Sequence, residues 1–325
     1  MKKFISPIIL LLAAIIWGAA FVAQKAAATL APLTLIAVRS VFAVVFLIPA
    51  VIIYDRLTRS GRSLFRVRGG VRLDLTRREL IGGAVCGSFL FIASTLQQAG
   101  ITKTDAGKAS FITALYVVIV PLLSLALGKR SGLNVWTSVA LAVVGFYLLC
   151  ITDGFTLAPS DLVILLCAVV FAFQIISIDK SLSGGTCPIR LSLVQFFTCA
   201  VLSSVSAPVF EGPIDFSLIG SFLPELLFLG IGSSGIAYTC QIIGQRGTPA
   251  PVATVILSLE SVFGALSAAI ILGERMSARE YIGCAVVFAA VLIAELGPAS
   301  LKRRTKPPHD GSLPQPPSES EGEAG

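Results

Sequence analysis

The sequence predicts an all-α integral membrane protein with ten transmembrane helices, arranged as two inverted five-helix repeats. Three observations lead to this fold class. Hydrophobic residues make up 55% of the 325 residues, charged residues make up only 13%, and the mean hydropathy is +0.89. The apolar residues are gathered in ten runs, each close to the roughly 20 residues that cross a bilayer as a helix. Short motifs of the first half of the chain recur in the second half.

The ten predicted spans are joined by mostly short polar connections. Their approximate limits are residues 5–24, 32–54, 80–99, 105–127, 134–151, 160–178, 188–209, 222–242, 250–272 and 278–296. Pro32, Pro159 and Pro188 stand near the start of a span, where the missing N–H of proline costs little. The first run has the outline of a secretory signal, but it is long enough to span the bilayer, so we expect a retained helix. The polar composition of residues 297–325 predicts a disordered tail.

The positions of the basic residues predict the orientation of the chain. With a cytoplasmic amino terminus, 19 of the 25 Lys and Arg residues fall in cytoplasmic segments and 5 in outer segments, while Arg39 lies inside the second span. Cytoplasmic connections of membrane proteins carry the excess of positive charge. We therefore predict a multi-pass protein of the bacterial inner membrane with both termini in the cytoplasm. Eight arginines lie in the connection 55–79, which either contacts anionic lipid head groups or serves only as a topology anchor.

Composition and context exclude several classes of site. The net charge of +7 does not indicate a nucleic-acid partner, because most basic residues lie in the short connections between spans. The single histidine, His309, and seven cysteines without a CxxC pair exclude a histidine-based zinc site or catalytic triad. We expect neither a metal nor a cofactor. Residues 230–235 fit the dinucleotide pattern GxGxxG, but they lie inside a span, where glycines allow close helix packing.

The two halves of the chain share motifs in the same order. Leu-Gly-Lys-Arg at 127–130 recurs as Leu-Gly-Glu-Arg at 272–275, and an aromatic residue stands six positions after each arginine. Gln97-Gln98-Ala99-Gly100 similarly resembles Gln241-Ile242-Ile243-Gly244. Because five spans is an odd number, the second copy must be inverted relative to the first, as in many transporters with a substrate site near the midplane. The predicted units are residues 1–152, residues 153–296 and a cytoplasmic tail of residues 297–325.

These motifs also carry a resemblance to a known family. The residues concerned are Trp17-Gly18, Phe21-Val22, Lys25, Pro32, Arg39, Gln98-Ala99-Gly100, Thr104 to Gly107, Ala109 to Ile112, Leu259 to Phe263, Leu272 to Arg275 and Leu292 to Glu295. In their order and spacing, the chain resembles the EamA family of the drug/metabolite transporter (DMT) superfamily over about residues 5–296. The resemblance implies a ten-helix basket-like fold and transport, often export, of amino acids, metabolites or drugs. One departure is Ser261, since the family commonly has a proline after the span-nine glutamate, and that proline usually breaks the helix.

Two charged residues lie deep inside predicted spans. Arg39 stands seven residues into the second span, where a charge costs about 2.5–3.5 kcal/mol on insertion scales. It either docks a substrate carboxylate or phosphate, or forms a fixed structural pair with an acid or a helix-end carbonyl. Glu260 stands about ten residues into the ninth span. It either carries a proton that couples transport to the proton gradient, or neutralises Arg39, or caps a broken helix.

Polar and aromatic residues of both halves complete the candidate substrate site. Glutamine amides are costly in hydrocarbon unless they are hydrogen-bonded, so these glutamines either line a polar site or join helices to one another. The aromatic residues would offer surface to an apolar or amphipathic substrate, or else pack at the membrane interface. The candidate substrate-binding residues, besides Arg39, are Trp17, Gln98, Tyr116, Gln174, Gln195, Tyr238 and Gln241.

The sequence favours a secondary carrier over an enzyme. No nucleotide-binding P-loop is present, so we expect alternating access rather than ATP-driven pumping. The expected partners are a small organic substrate such as an amino acid, a related compound or a drug, the membrane lipids and, through Glu260, protons. Export is favoured by the resemblance. One alternative is a non-transporting scaffold or sensor, which would need an interaction domain. The other is a membrane-embedded lipid-modifying enzyme, which would need a charged catalytic cluster at the membrane surface.

Overall fold

A computed structural model of the chain describes residues 5–58, 65–66, 72–73, 75–104, 106–150, 158–272 and 277–296. The helices of the first half are α1 (Ile5–Ala26), α2 (Pro32–Thr58), α3 (Arg77–Ile101), α4 (Ala106–Ala114), α5 (Tyr116–Ala126) and α6 (Leu133–Cys150). Those of the second half are α7 (Pro159–Ser183), α8 (Pro188–Phe210), α9 (Phe216–Ser221), α10 (Leu223–Leu227), α11 (Tyr238–Gly247), α12 (Ala250–Leu257), α13 (Glu260–Leu272) and α14 (Ala278–Leu296). The predicted tail 297–325 and residues 59–64, 67–71 and 74 of the arginine-rich connection lie outside the described residues.

The long apolar helices coincide with the predicted spans. Within the described residues, eight helical segments are long and apolar enough to cross a membrane. The two remaining predicted spans, the fifth and the tenth, coincide with α6 and α14. Large apolar side chains such as Ile8, Val45, Leu133, Val205 and Ile270 are 61–82% exposed on the outer surface. A surface of this kind is unfavourable in water and suits contact with lipid chains.

The fourth and ninth spans are each interrupted near the middle. Leu115 separates α4 from α5, and a turn at residues 258–259 separates α12 from α13. The second interruption forms without the proline that usually breaks the helix in the family. Ser261, which stands in its place, donates from Oγ to the carbonyl oxygen of Ser110 on α4 at 3.0 Å. The hydroxyl thus links the two interrupted spans, in keeping with the way Ser side chains satisfy polar groups where membrane helices are broken.

The eighth span is not a regular α-helix. Between α10 and α11 the backbone runs as a π-helix from Phe228 to Ala237, a form that is rare and often found at functional sites. A Cβ atom on Gly230 would lie 2.5 Å from Cβ of Phe42 and 3.0 Å from the carbonyl oxygen of Arg39. Glycine is therefore required for the close approach of this stretch to α2. The glycines of the GxGxxG pattern serve helix packing, as predicted.

The helices of the two halves pack in pairs that correspond under the repeat. α3 packs against α7, and its repeat counterpart, the π-helix with α11, packs against α1. Likewise α1 packs against α13, and α7 packs against α4 and α5. Two further large contacts join α2 to α8 and α6 to α14, which are equivalent spans of the predicted repeat. A third joins α3 to α8, and its counterpart is the contact of the π-helix with α2.

Charged side chains join α2 to α8 at both ends of the pair. At one end, Arg190 donates to Oδ1 of Asp55 from Nε at 2.9 Å and from Nη2 at 2.6 Å. At the other end, the Glu211 carboxylate accepts the backbone N–H groups of Leu33 and Thr34 at 2.6 and 2.8 Å. Those N–H groups belong to the first turn of a helix, which leaves them without an intrahelical partner. The second half therefore caps a helix of the first half.

Two short elements were not predicted. β1 (Phe65–Arg66) and β2 (Arg72–Leu73) pair as a small antiparallel hairpin within the arginine-rich connection, so the chain departs locally from the all-α class. The helix α9 has six residues and begins after Asp215, whose carboxylate accepts the N–H groups of Ser217 and Leu218. Both elements are too short to produce a periodic apolar pattern, and such a pattern is the signal on which sequence-based assignment depends.

Candidate functional site

A cavity lies at the centre of the helix bundle, where the two halves meet. Its walls come from α1, α2, α3, α4, α5, α7, the π-helix, α11 and α13, so both halves contribute. The free volume is about 30 Å³, enough for one or two water molecules and too small for an organic molecule. The lining residues are Trp17, Ala20, Phe21, Gln24, Arg39, Gln97, Thr113, Tyr116, Phe171, Gln174, Ile175, Ser233, Tyr238, Gln241 and Glu260.

Arg39 is held in this wall by neutral partners. Its guanidinium donates from Nε to Oγ of Ser234 at 2.9 Å and from Nη2 to Oγ of Ser233 at 3.0 Å. The residue is only 5% exposed, and none of the salt bridges found among the described residues includes it. The fixed partner expected under the structural interpretation was an acid or a helix-end carbonyl, whereas the observed partners are two hydroxyl groups. The positive charge therefore remains available within the cavity wall.

Aromatic side chains form part of the same cavity wall. Trp17 and Tyr238 are in edge-to-face contact, with ring centroids 4.7 Å apart, and Phe196 contacts Tyr238 with centroids 5.3 Å apart. The indole Nε1 of Trp17 donates to the carbonyl oxygen of Ser233 at 3.3 Å. This carbonyl belongs to the π-helix, where the regular i to i−4 pattern of hydrogen bonds is interrupted. The aromatic side chains thus give the cavity an apolar wall next to its cationic group.

Glu260 lies at the interruption of the ninth span, as the first residue of α13. Its side chain is buried, with the residue 4% exposed, and its Oε1 atom accepts from the hydroxyl of Tyr116 at 3.0 Å. Among the described residues no ion pair joins Glu260 to Arg39. Direct neutralisation of Arg39, one of the expectations for this glutamate, is therefore not what the structure shows. The carboxyl group of Glu260 and the guanidinium of Arg39 line the same cavity without an ion pair between them.

The predicted glutamines divide into two groups. Gln174 and Gln241 line the cavity. Gln195 lies behind the wall, fully buried, and its Oε1 accepts from Nε2 of Gln174 at 3.1 Å. Gln98 is fully buried as well and donates from Nε2 to the carbonyl oxygen of Gln24 at 3.3 Å. Gln195 therefore supports a wall residue, and Gln98 joins α3 to α1 instead of facing the cavity.

Several residues that line the cavity were not among the predicted site residues. Gln97 lies in the wall and its Nε2 is 3.4 Å from Oγ1 of Thr113, while its neighbour Gln98 points elsewhere. Consecutive residues of a helix face different directions, so the pair of glutamines alone did not show which one enters the cavity. Gln24 stood next to Lys25 at the end of the first span and carried a usable signal as a polar residue in an apolar run. Ser233 carried none, because a serine inside a glycine-containing stretch is common in packed helices.

The apolar helices and the polar cavity between the two halves define a multi-pass membrane protein of the transporter class. The sequence profile of the EamA-like transporter family matches residues 5–151 and residues 158–296. The chain therefore belongs to the EamA-like transporter family, and the resemblance seen in its motifs is confirmed. The chain is thus a membrane transporter.

Relatives agree with this assignment. An uncharacterized transporter of Archaeoglobus fulgidus is 29% identical over 297 residues, which cover 91% of this chain and 87% of the relative. A second uncharacterized transporter of the same organism is 24% identical over 217 residues, covering 67% and 76% of the two chains. One protein of known crystal structure superposes with a TM-score of 0.71 at 20% identity, covering 92% of this chain and 98% of its own. The last comparison shows a shared fold.

Proposed function

We propose that this protein is a secondary carrier that moves small organic zwitterions, in the first place amino acids and related compounds, across the inner membrane of a bacterium. Transport proceeds by alternating access between two inverted five-helix halves, and the direction in the cell is export. The substrate site is the central cavity. Drugs with both an amine and an acidic group belong to the same chemical class.

The observation that carries this proposal is the charge pattern of the cavity wall. Arg39, from the first half, presents a buried guanidinium, and Glu260, from the second half, presents a buried carboxyl group. Among the described residues no ion pair joins the two. Burying separate charges is expensive unless partners are supplied. A substrate with a carboxylate and an ammonium group supplies both partners at once. The aromatic side chains of Trp17, Phe21 and Tyr238 then contact the apolar part of such a substrate.

The side-chain oxygens of several glutamines are further hydrogen-bond acceptors in the cavity wall. The Oε1 atoms of Gln24, Gln174 and Gln241 are buried without a hydrogen-bond donor among the described residues. A buried acceptor without a partner costs about 1–3 kcal/mol. An ammonium group or an ordered water would satisfy such oxygens, which favours a cationic end in the substrate. The cavity wall is therefore suited to a dipolar ligand better than to a purely apolar one.

Alternating access is supported by the pairing of helices between the halves. Two similar halves related by a two-fold axis can exchange conformations, so a cavity open to one face becomes a cavity open to the other. The profile of the family matches each half separately. The central cavity has a free volume of only about 30 Å³, so binding of an organic substrate requires the halves to move apart.

Reconstitution in proteoliposomes tests the proposal. Uptake and counterflow of radiolabelled amino acids, compared with a panel of amines and carboxylic acids, should show saturable flux for the zwitterions. Arg39→Ala should reduce this flux strongly while leaving the protein monodisperse in detergent. Absence of flux for every zwitterion tested, or normal flux in a folded Arg39→Ala protein, would contradict the assignment. Product formation from lipids, without flux, would favour the enzyme alternative, and neither activity would favour a scaffold or sensor.

Glu260 is the candidate for proton coupling. It is the acid in the wall of the cavity, where a change of protonation would alter the charge balance against Arg39. We expect Glu260→Gln to transport with a rate that no longer depends on pH. Glu280→Gln is the matched control, because Glu280 is an exposed cap of α14 outside the cavity. An active Glu260→Gln protein with unchanged pH dependence would exclude this role.

A further inference from the structure

The segment α4–α5 of the first half packs against α7 of the second half. We call this contact the seam, and an ion pair joins its two sides at each end. α7 carries Asp161 in its first turn and Asp179 near its last turn, which places them about 27 Å apart along the helix. Lys108 pairs with Asp161, Nζ to Oδ2 at 2.6 Å, and Lys129 pairs with Asp179, Nζ to Oδ2 at 2.7 Å. One lysine–aspartate pair therefore joins the halves at each end of the same seam.

The two pairs differ in their surroundings. The Asp161 side chain is 1% exposed, and it also accepts from Oγ1 of Thr104 at 3.3 Å and from the backbone N–H of Ala158 at 2.7 Å. The side chains of Lys129 and Asp179 are 48% and 21% exposed. An exposed ion pair contributes at most about 1 kcal/mol. The Lys129–Asp179 end of the seam is thus the one that separates more easily.

A second cavity, which we call the chamber, is lined by both residues of the weaker pair. Its volume is about 220 Å³, and its walls come from the loop after α5, the end of α7 and the start of α12. Ser124 lines it, two turns along α5 from Tyr116 in the central cavity, about 12 Å away. Between the two levels, Val120 of α5 and Val255 and Ile256 of α12 are buried in the core. α5 and α7 therefore line both cavities, with an aliphatic layer between the two.

We propose that the Lys129–Asp179 ion pair is the gate that closes the cytoplasmic entrance of the transport path. The chamber, with its volume of about 220 Å³, is then the cytoplasmic end of that path. The inference rests on the proposed alternating-access carrier and on the predicted orientation, which places Lys129 on the cytoplasmic side. When the pair separates, the ends of α5 and α7 part and the chamber connects to the central cavity. The buried Lys108–Asp161 pair meanwhile holds the outer end of the seam.

A thiol reporter inside the chamber tests the gate without relying on transport. Ser124→Cys places the reporter on a residue that is 4% exposed, and a membrane-impermeant maleimide is applied to inside-out vesicles, with the parent protein as background. Asp179→Asn and Lys129→Gln should each raise the labelling rate about two- to fivefold, in line with the small free energy of an exposed pair. The exchanged pair, Lys129→Asp with Asp179→Lys, should restore slow labelling.

Two matched controls separate gating from general loosening. The first control, Arg130→Gln, removes a charged residue that lines the same chamber and is in none of the ion pairs found in the described chain. The second control, Asp161→Asn, removes the ion pair at the other end of the seam. Neither should speed labelling of Ser124→Cys. Unchanged labelling in Asp179→Asn, an equal rise in Arg130→Gln, or a rise confined to right-side-out vesicles would overturn the gate. Wild-type flux with unchanged labelling refutes the gate alone, whereas no flux in the wild type refutes the carrier.

Discussion

Arg39 provides the sharpest quantitative prediction of the proposed site. Two of the five N–H donors of a guanidinium are used by Ser233 and Ser234. The other three have no partner among the described residues and are available to a substrate carboxylate. Hydrogen bonds to charged groups contribute about 1.5–3 kcal/mol. We therefore expect Arg39→Met to raise the half-saturation constant for an amino acid about 10- to 150-fold, with the smaller value applying where water replaces part of the lost contact.

The assay compares two ligands as well as two proteins. Counterflow is measured for an amino acid and for the amine that lacks its carboxylate, in wild type and in Arg39→Met. If the guanidinium binds the carboxylate, the wild type should prefer the amino acid by about the same 10- to 150-fold, and the preference should vanish in the mutant. Arg39→Lys keeps the charge but cannot bond both serines and a carboxylate in the same geometry, so it should fall between the two. An unchanged preference in a folded Arg39→Met protein would refute the docking role.

Three further predictions concern the site and the packing between the halves. Arg190→Ala removes the bidentate partner of buried Asp55 and should cost about 3–5 kcal/mol, seen as a lower apparent Tm in detergent; Arg190→Met with Asp55→Leu should recover most of the loss. Gly18→Leu should prevent stable assembly, because even a Cβ there would lie 2.5 Å from a side chain of α13, and gel filtration would show aggregated protein. Gln174→Leu should impair transport, whereas Gln98→Leu, outside the cavity, should change stability more than flux, as parallel flux and Tm measurements would show.

The sequence contained most of what was needed to locate the site. A charge or an amide in a long apolar run is costly, so Arg39, Glu260, Gln174 and Gln241 were conspicuous without any structure. All four line the central cavity. The apolar runs likewise indicated where helices lie, since apolar length is a strong signal over twenty residues.

Other features depend on geometry that composition does not record. Gln98 and Gln97 are equally polar, and only the rotation of α3 decides that Gln97 enters the cavity. The π-helix next to Arg39 changes which serines reach the guanidinium, and single residues do not signal it. The interruption before Glu260 forms without a proline, so local sequence did not predict it. Each of these features is fixed by contacts between helices that are distant in sequence.

The family profile matches each half of the chain, but equivalent positions of the two halves carry different side chains in the candidate site. Leu115 and Glu260 each stand twelve residues before the leucine that opens the repeated Leu-Gly motif, and each lies at the interruption of its span. Arg39 likewise corresponds to Gln195, counted from the proline seven residues before each. Among the residues that line the central cavity, the cation therefore comes from the first half and the carboxyl group from the second. Under the proposed function, a zwitterion would find both charged partners only where the halves meet, and a movement of one half against the other would act directly on the bound substrate.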